Sequence, residues 1–314
     1  MDKLQAWTKI SIIAVLLVIV AGATVRATGS GLGCPDWPRC FGEWIPPTEA
    51  SQIDKSYLGE GDEINIAKTW TEYGNRMIGV LVGFIMLYTM ILAWRKSRAN
   101  KPVLKAITVA SLLIPVQAIQ GGMVVRYELD PRLVTVHFLT AVVILGFLVH
   151  AYILMRSTSA QAKGFATESV QVGKLRFLSR AALALTTVQI LVGAIVRGSI
   201  EIVASESEGL ARGEWLSEVG LIDWVHRDAA LIVGGLVTYL AFQLRKAQCL
   251  DSTLGRASST AFFLVLAQCG AGVVLAYVDL PPLVQVIHIT LATWLITALF
   301  FQERLLTQEA RAAA

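Results

Sequence analysis

The feature that most constrains this chain is the alternation of long apolar blocks with short polar ones. A helix needs about 20 predominantly apolar residues to cross the hydrocarbon of a bilayer. Eight blocks approach that length: Ile10–Ala27, Glu72–Trp94, Leu104–Val125, Leu133–Met155, Phe177–Val196, Ile222–Leu244, Ala257–Val278 and Leu283–Phe301. Of the 314 residues only 16% are charged, where a soluble domain has about a quarter. The expected fold class is an all-α integral membrane protein with eight transmembrane helices. The first block runs into "GATVRATGSG" with no small-residue cleavage pattern and seven blocks follow it, so it is expected to be a span rather than a signal peptide. The start is not the Arg- and Ser-rich start of a transit peptide, which points to a bacterial plasma membrane.

The charges between the blocks suggest an orientation. "WRKSRANKPVLK" follows the second block; Arg156, Lys163, Lys174, Arg176 and Arg180 follow the fourth; Arg245, Lys246 and Arg256 lie between the sixth and seventh; Lys3 and Lys9 flank the first. The opposite ends are acidic or mixed: Glu43 to Glu63, "YELDPR" and "EIVASESEGLARGEW". By the positive-inside rule both termini are expected in the cytoplasm. The loop "GLGCPDWPRC", with Cys34 and Cys40, is then expected outside, where disulfides persist. The basic segments serve as topology signals, and no nucleic-acid motif is present.

The two halves can be laid over each other. "AGATVRATGS" resembles "VGAIVRGSIE", with Gly22 on Gly193 and Arg26 on Arg197. A second constant offset aligns "EYGNRMIGVLVG" with "DWVHRDAALIVG", putting Glu72 on Asp223, Asn75 on His226 and Arg76 on Arg227. The same offset puts Gln117 on Gln268, Gly121 on Gly272, Pro131 on Pro282 and His137 on His288. Two copies of four spans are expected, residues 1–158 and 159–314, in a parallel repeat.

An ionisable residue inside a span is a functional candidate by default. Of the four histidines, His226 and His288 fall near the outer ends of the sixth and eighth spans, at similar depth. Two histidines from facing helices of a four-helix bundle are a way to hold a haem iron. Zinc usually takes more ligands than two. His137 has the equivalent place in the first half, but its repeat partner is Asn75. That half therefore has a similar pocket with one strong ligand fewer, which leaves a coordination position open or weakly filled and suits chemistry or exchange. His150 falls at the cytoplasmic end of its span and reads as a headgroup contact.

Arg76 and Arg227 directly follow the key positions, and Arg26 and Arg197 end the first and fifth spans on the same side. These arginines could bind haem propionates through charge-assisted hydrogen bonds; snorkelling to the interface is the alternative. Glu72 lies about one turn before Asn75 on the same helix face, where a carboxylate could move protons or stabilise positive charge. Helix N-terminal charge preference is its alternative.

These segments, "GATVRATGSGLGCPDWPRCFGEWIPP", "EYGNR", "VTVHFLTA", "WVHRDAA" and "VIHITLAT", resemble the haem A synthase family, the membrane oxidases of cytochrome oxidase assembly. The resemblance covers nearly all of the chain. It implies oxidation of the ring methyl of haem O to a formyl group, by two hydroxylations and loss of water from the gem-diol. It implies a haem B cofactor on His226 and His288, and substrate haem O flanked by His137 and Asn75. Glu72 matches the family's acidic residue. Cys34 and Cys40 match its external cysteine pair, which could form a disulfide that pins the loop or relays redox equivalents. Asn75 departs from the family, whose best-known members carry His there. A haem O synthase is the implied partner, a quinol an electron donor that fits, the bilayer the surroundings, and a homo-oligomer a further option.

Three other functions compete. A b-type electron-transfer cytochrome, or an inactive paralogue, keeps His226 and His288 and treats Asn75 as decay of the other site. A quinone-linked thiol oxidase would use Cys34 and Cys40, but the pair is not C-x-x-C and leaves the histidines unexplained. A transporter would share the parallel repeat, yet no pair of broken helices marks a substrate site, and Pro115 could only kink one span. Cys249 and Cys269 read as small packing residues.

Overall fold

The computed structural model describes residues 2–57, 65–157, 169–206, 209–246 and 253–312. Glu63, Lys163 and Cys249 lie outside the described residues. The regular structure is helical: α1 Asp2–Ala27, α2 Ile66–Lys96, α3 Lys101–Arg126, α4 Pro131–Ser157, α5 Ser169–Glu206, a short α6 Trp215–Glu218, α7 Leu221–Lys246, α8 Thr253–Tyr277 and α9 Pro282–Ala312. Eight of these helices are long and apolar enough to cross a membrane, and the chain is a multi-pass, all-α membrane protein. In lipid, helices satisfy every backbone amide within the segment, which is why each apolar block takes this form.

Several helices outrun their apolar blocks. α2 begins at Ile66 rather than near Glu72, and α5 runs on to Glu206, well past Val196. Lipid thickness sets the length of the apolar block, not of the helix. Polar flanks rich in Glu, Lys, Arg and Ala continue the helix readily. Helix starts follow local signals: Asn65 accepts from the Lys68 N–H at 3.1 Å, and Asn100 caps α3 ahead of Pro102. Asp130 accepts from the N–H groups of Arg132 and Leu133 beside Pro131. α3 continues through Pro115.

The chain packs as two units, Met1–Leu145 and Gly146–Ala314. In the first, polar side chains tie neighbouring helices. Ser11 and Thr89 hydroxyls meet at 2.9 Å between α1 and α2, Trp94 Nε1 donates to Thr108 Oγ1 at 3.0 Å between α2 and α3, and Gln120 donates to Thr140 between α3 and α4. Such bonds between membrane helices contribute roughly 0.6 kcal/mol each. In the second unit an aliphatic core, including Ala182, Val237, Leu240, Leu244, Ala261 and Leu299, joins α5, α7, α8 and α9. Cys269 has the packing role expected of it: its Sγ lies 3.6 Å from where a Cβ on Gly234 would stand.

Two turns at positions matched by the sequence alignment of the halves share a backbone conformation. The α3–α4 turn holds Glu128 and Leu129 at φ 49° and 64°, and the α8–α9 turn holds Asp279 and Leu280 at φ 38° and 46°. These are equivalent positions of the two copies. Left-handed backbone at consecutive non-glycine residues is uncommon. Both turns also begin alike, with Tyr127 N–H donating to the Met123 carbonyl and Val278 N–H to that of Val274, each at its preceding helix end.

Candidate functional site

In unit 2, the imidazole of His226 on α7 stands against α5 at a glycine. A Cβ on Gly193 would fall 2.9 Å from His226 Cε1, so only glycine leaves room for the ring. One turn earlier on α5, Gln189 Nε2 donates to the His226 carbonyl at 2.8 Å and lies 3.1 Å from its Nδ1. His288 on α9 also has a glycine and a glutamine beside it, but the amide lies at the other ring nitrogen. A Cβ on Gly272 of α8 would fall 3.4 Å from His288 Cε1, and Gln268 Nε2 lies 3.0 Å from His288 Nε2. Each imidazole thus sits over a glycine of a neighbouring helix and beside a glutamine amide that fixes its orientation.

Unit 1 repeats half of this construction. A Cβ on Gly121 of α3 would fall 3.6 Å from His137 Cε1 on α4, and Gln117 donates to the His137 carbonyl at 2.8 Å. At the alignment positions of His226 and Gly193, this unit has Asn75 on α2 and Gly22 on α1. A Cβ on Gly22 would meet nothing within 4 Å.

Both units leave buried polar atoms without hydrogen-bond partners on these helices: Asn75 Oδ1, His137 Nδ1 and Gln120 Oε1 in the first, and His288 Nδ1, Gln189 Oε1 and Gln268 Oε1 in the second. Orphaned buried polar atoms are rare and call for an explanation. Of these, His288 Nδ1 carries a lone pair that a haem iron could take in unit 2. His226 and His288 would hold such a haem, which would supply redox chemistry when bound, and the glycines give the imidazoles space. Among the described residues no group of three or more His, Cys, Asp and Glu side chains could hold a bare metal ion.

The carboxylate–arginine pairs also repeat. Arg227 pairs with Asp223 at 2.6 Å and stands over the rings of Trp224 and Tyr277 at 5.1 and 5.7 Å. Arg197 pairs with Glu201 at 3.2 Å, and Arg26 lies in the last turn of α1. Arg76 pairs with Glu72, and here the first unit adds a further layer. Glu72, 3% exposed, accepts the Cys34 N–H at 2.8 Å. Arg76 donates from Nη1 to the carbonyls of Asp36 and Arg39, both at 2.8 Å, and from Nη2 to that of Cys34. The pair thus clamps the cysteine loop onto α2.

Cys34 and Cys40 form a disulfide. Within the ring it closes, Asp36 accepts the N–H groups of Phe41 and Gly42 at 2.6 and 2.9 Å. Gly33 lies so close to α2 that a Cβ would stand 2.5 Å from the Lys68 carbonyl oxygen, and Thr69 donates to the Gly33 carbonyl at 2.8 Å. Trp37 lies on α3, where a Cβ on Gly122 would meet its ring at 2.9 Å. Both cysteines are buried, at 0% and 1% exposure. That closes off in-line attack by a partner thiolate, which thiol exchange requires.

Three contributors were not singled out as site residues from sequence: Gln189, the glycines under the imidazoles, and the loop-clamping use of Arg76. The glycines left a signal, since Gly22/Gly193 and Gly121/Gly272 agree between copies inside spans. Gln189 left none, because its counterpart is Val18. His150 lies in the C-terminal part of α4, away in sequence from these groups.

Residues 5–300 match the family described as cytochrome oxidase assembly protein, COX15-CtaA. A protein of Shouchella clausii named "Heme A synthase" is 26% identical over 309 residues, 95% of this chain and 95% of that protein. Proteins of the same name from Shewanella oneidensis and Methylorubrum extorquens are also 26% identical; the first match covers 75% of this chain and 77% of the relative, the second 88% and 80%.

Proposed function

The chain belongs to the family of cytochrome oxidase assembly proteins, and on that premise we propose that it is a haem A synthase, a membrane oxidoreductase that converts the ring methyl of haem O to a formyl group. The observation that carries this is the twofold use of one construction, a histidine on a glycine with a glutamine beside it, complete in unit 2 and half complete in unit 1. A complete pair suits a resident haem, and a single histidine suits a haem on which chemistry occurs.

In unit 2, His226 and His288 would hold haem B, which supplies one-electron transfer when bound. Gln189 and Gln268 orient the imidazoles, and Gly193 and Gly272 give them room. Arg197, Arg227 and Arg26 are the proposed propionate partners. Arg76 could join them only by giving up loop carbonyls, so its first role is to hold the loop. In unit 1, His137 would hold substrate haem O, with Asn75 on the opposite side. Glu72 fixes the disulfide loop beside that pocket and is the carboxylate available for proton transfer.

The chemistry proposed is two hydroxylations of one methyl group. Each consumes one dioxygen and two electrons with two protons from a quinol-class donor. One oxygen atom enters a C–H bond and the other leaves as water. Loss of water from the resulting gem-diol leaves the formyl group. Haem O synthase is the proposed source of substrate. The cysteine loop is proposed to lie outside the bacterial plasma membrane, with the termini inside.

The test is expression in a host that makes haem O but no haem A, followed by chromatography and mass analysis of membrane haems. Haem A, or its hydroxymethyl precursor, is expected. A folded, haem-B-loaded protein with neither product would favour a b-type cytochrome, the second reading that the lone His137 permits.

A further inference from the structure

The asymmetry between the two pockets can be followed to a specific ligand site. In unit 2 the space over Gly193 is filled by the His226 ring, and Gln189 of the same helix holds that ring. The repeat maps Gly193 to Gly22, Gln189 to Val18 and His226 to Asn75. The imidazole and the amide that orients it are both replaced in unit 1, while the glycine that makes room for a ring is present. A Cβ on Gly22 would meet nothing within 4 Å. Glycine inside a helix costs about 1 kcal/mol relative to alanine, and no protein ring at this point benefits from it. Asn75, which holds the alignment position of His226, has its Oδ1 buried with no partner. The opposite side of the pocket is built, with His137 over Gly121 and its carbonyl held by Gln117.

Resting on the proposal of a substrate haem in unit 1, we propose that this haem is held by His137 alone and that the space over Gly22 receives a small second ligand of the iron that carries a hydrogen-bond donor. The ligand's N–H or O–H donates to Asn75 Oδ1, and Val18 and Gly22 bound it. The space is one that an imidazole occupies in the other copy, so free imidazole is the natural probe. Bound through one nitrogen, it presents an N–H to Asn75.

The experiment uses the full-length protein purified from cells that make haem O, oxidised, and followed by electron paramagnetic resonance and absorption spectroscopy. Two populations are expected, one low-spin and unresponsive, one high-spin. Free imidazole converts the second to low-spin, and N-methylimidazole, which has no N–H, binds about tenfold more weakly, the loss expected for one buried hydrogen bond. Gly22→Leu abolishes the conversion, Asn75→Leu makes the two azoles equal, and Asn75→His is low-spin without either. A second population already low-spin and unmoved by imidazole overturns the proposal, as does undiminished imidazole binding in Gly22→Leu. A preparation that binds haem B alone sinks the haem A synthase proposal and this one together, which separates the two failures.

Discussion

Replacing Gly193 by alanine adds one methyl group and tests the unit 2 pocket directly. The new Cβ would stand 2.9 Å from His226 Cε1, where ordinary contact begins at 3.4 Å. The ring must retreat by about 0.5 Å in an interior that is close-packed. It cannot do so freely, because Gln189 holds both its carbonyl and its Nδ1 side. Overpacking costs about 1–3 kcal/mol, and alanine in a helix returns roughly 1 kcal/mol over glycine. Stability of the haem-free protein is therefore expected to fall by no more than about 2 kcal/mol. Haem affinity should fall much further, by about 10- to 100-fold, as when the groups that orient a metal-bound histidine are disturbed. Gly235→Ala on α7 is the matched control, since a Cβ there meets nothing within 4 Å and carries the same helix gain. The assay is haem B content per protein, from the reduced-minus-oxidised spectrum during titration with haem B. Equal haem binding by Gly193→Ala and Gly235→Ala would refute the placement of His226 as an axial ligand.

Gln189→Leu keeps the volume but removes the amide that bonds the His226 carbonyl and lies against its Nδ1, and it is expected to weaken unit 2 haem binding about tenfold or more and to shift its redox midpoint; an unmoved midpoint contradicts an orienting role. Arg76→Ala leaves Glu72 buried without its charge partner and strips three loop carbonyls of a donor, a loss of about 3–5 kcal/mol. Faster hydrogen exchange across residues 33–42 would report it, and Arg76→Lys should rescue little, because one ammonium cannot span the same fork of acceptors. Replacing Cys34 and Cys40 together by alanine removes a cross-link of sequence separation 6, which by loop closure contributes about 2 kcal/mol. The clamp by Glu72, Arg76 and Thr69 should still hold the loop, so haem B binding is expected to persist; its complete loss would show that the disulfide itself builds the pocket.

What the sequence made legible was what a bilayer enforces. Apolar length located the spans, and polar or glycine residues within them, such as Gln117, Gly121, His137 and their counterparts, exposed the repeat. Cys34 and Cys40 were readable as a pair, and the disulfide forms. Partners distant in sequence were not readable. That Arg76 spends its donors on the carbonyls of Cys34, Asp36 and Arg39 depends on how a loop folds back on α2, which neither periodicity nor charge encodes. Gln189 was invisible because only one copy has it. The extension of α5 to Glu206 was missed because hydropathy reports the membrane, whereas the helix ends where its local propensity and caps end it. The left-handed turns at Glu128–Leu129 and Asp279–Leu280 carried no glycine to announce them.

The central claim is that one repeated construction holds two haems in different ways, haem B in unit 2 and the substrate haem in unit 1. The most direct test is to extract and identify the haems bound to the purified wild type, His137→Ala and His288→Ala, each co-expressed with a haem O source. Wild type should contain haem B together with haem O, haem A or its hydroxymethyl precursor. His137→Ala should lose the second class and keep haem B, while His288→Ala should lose haem B and accumulate no haem A. Loss of the same haem by both variants would mean a single site, and would contradict the account.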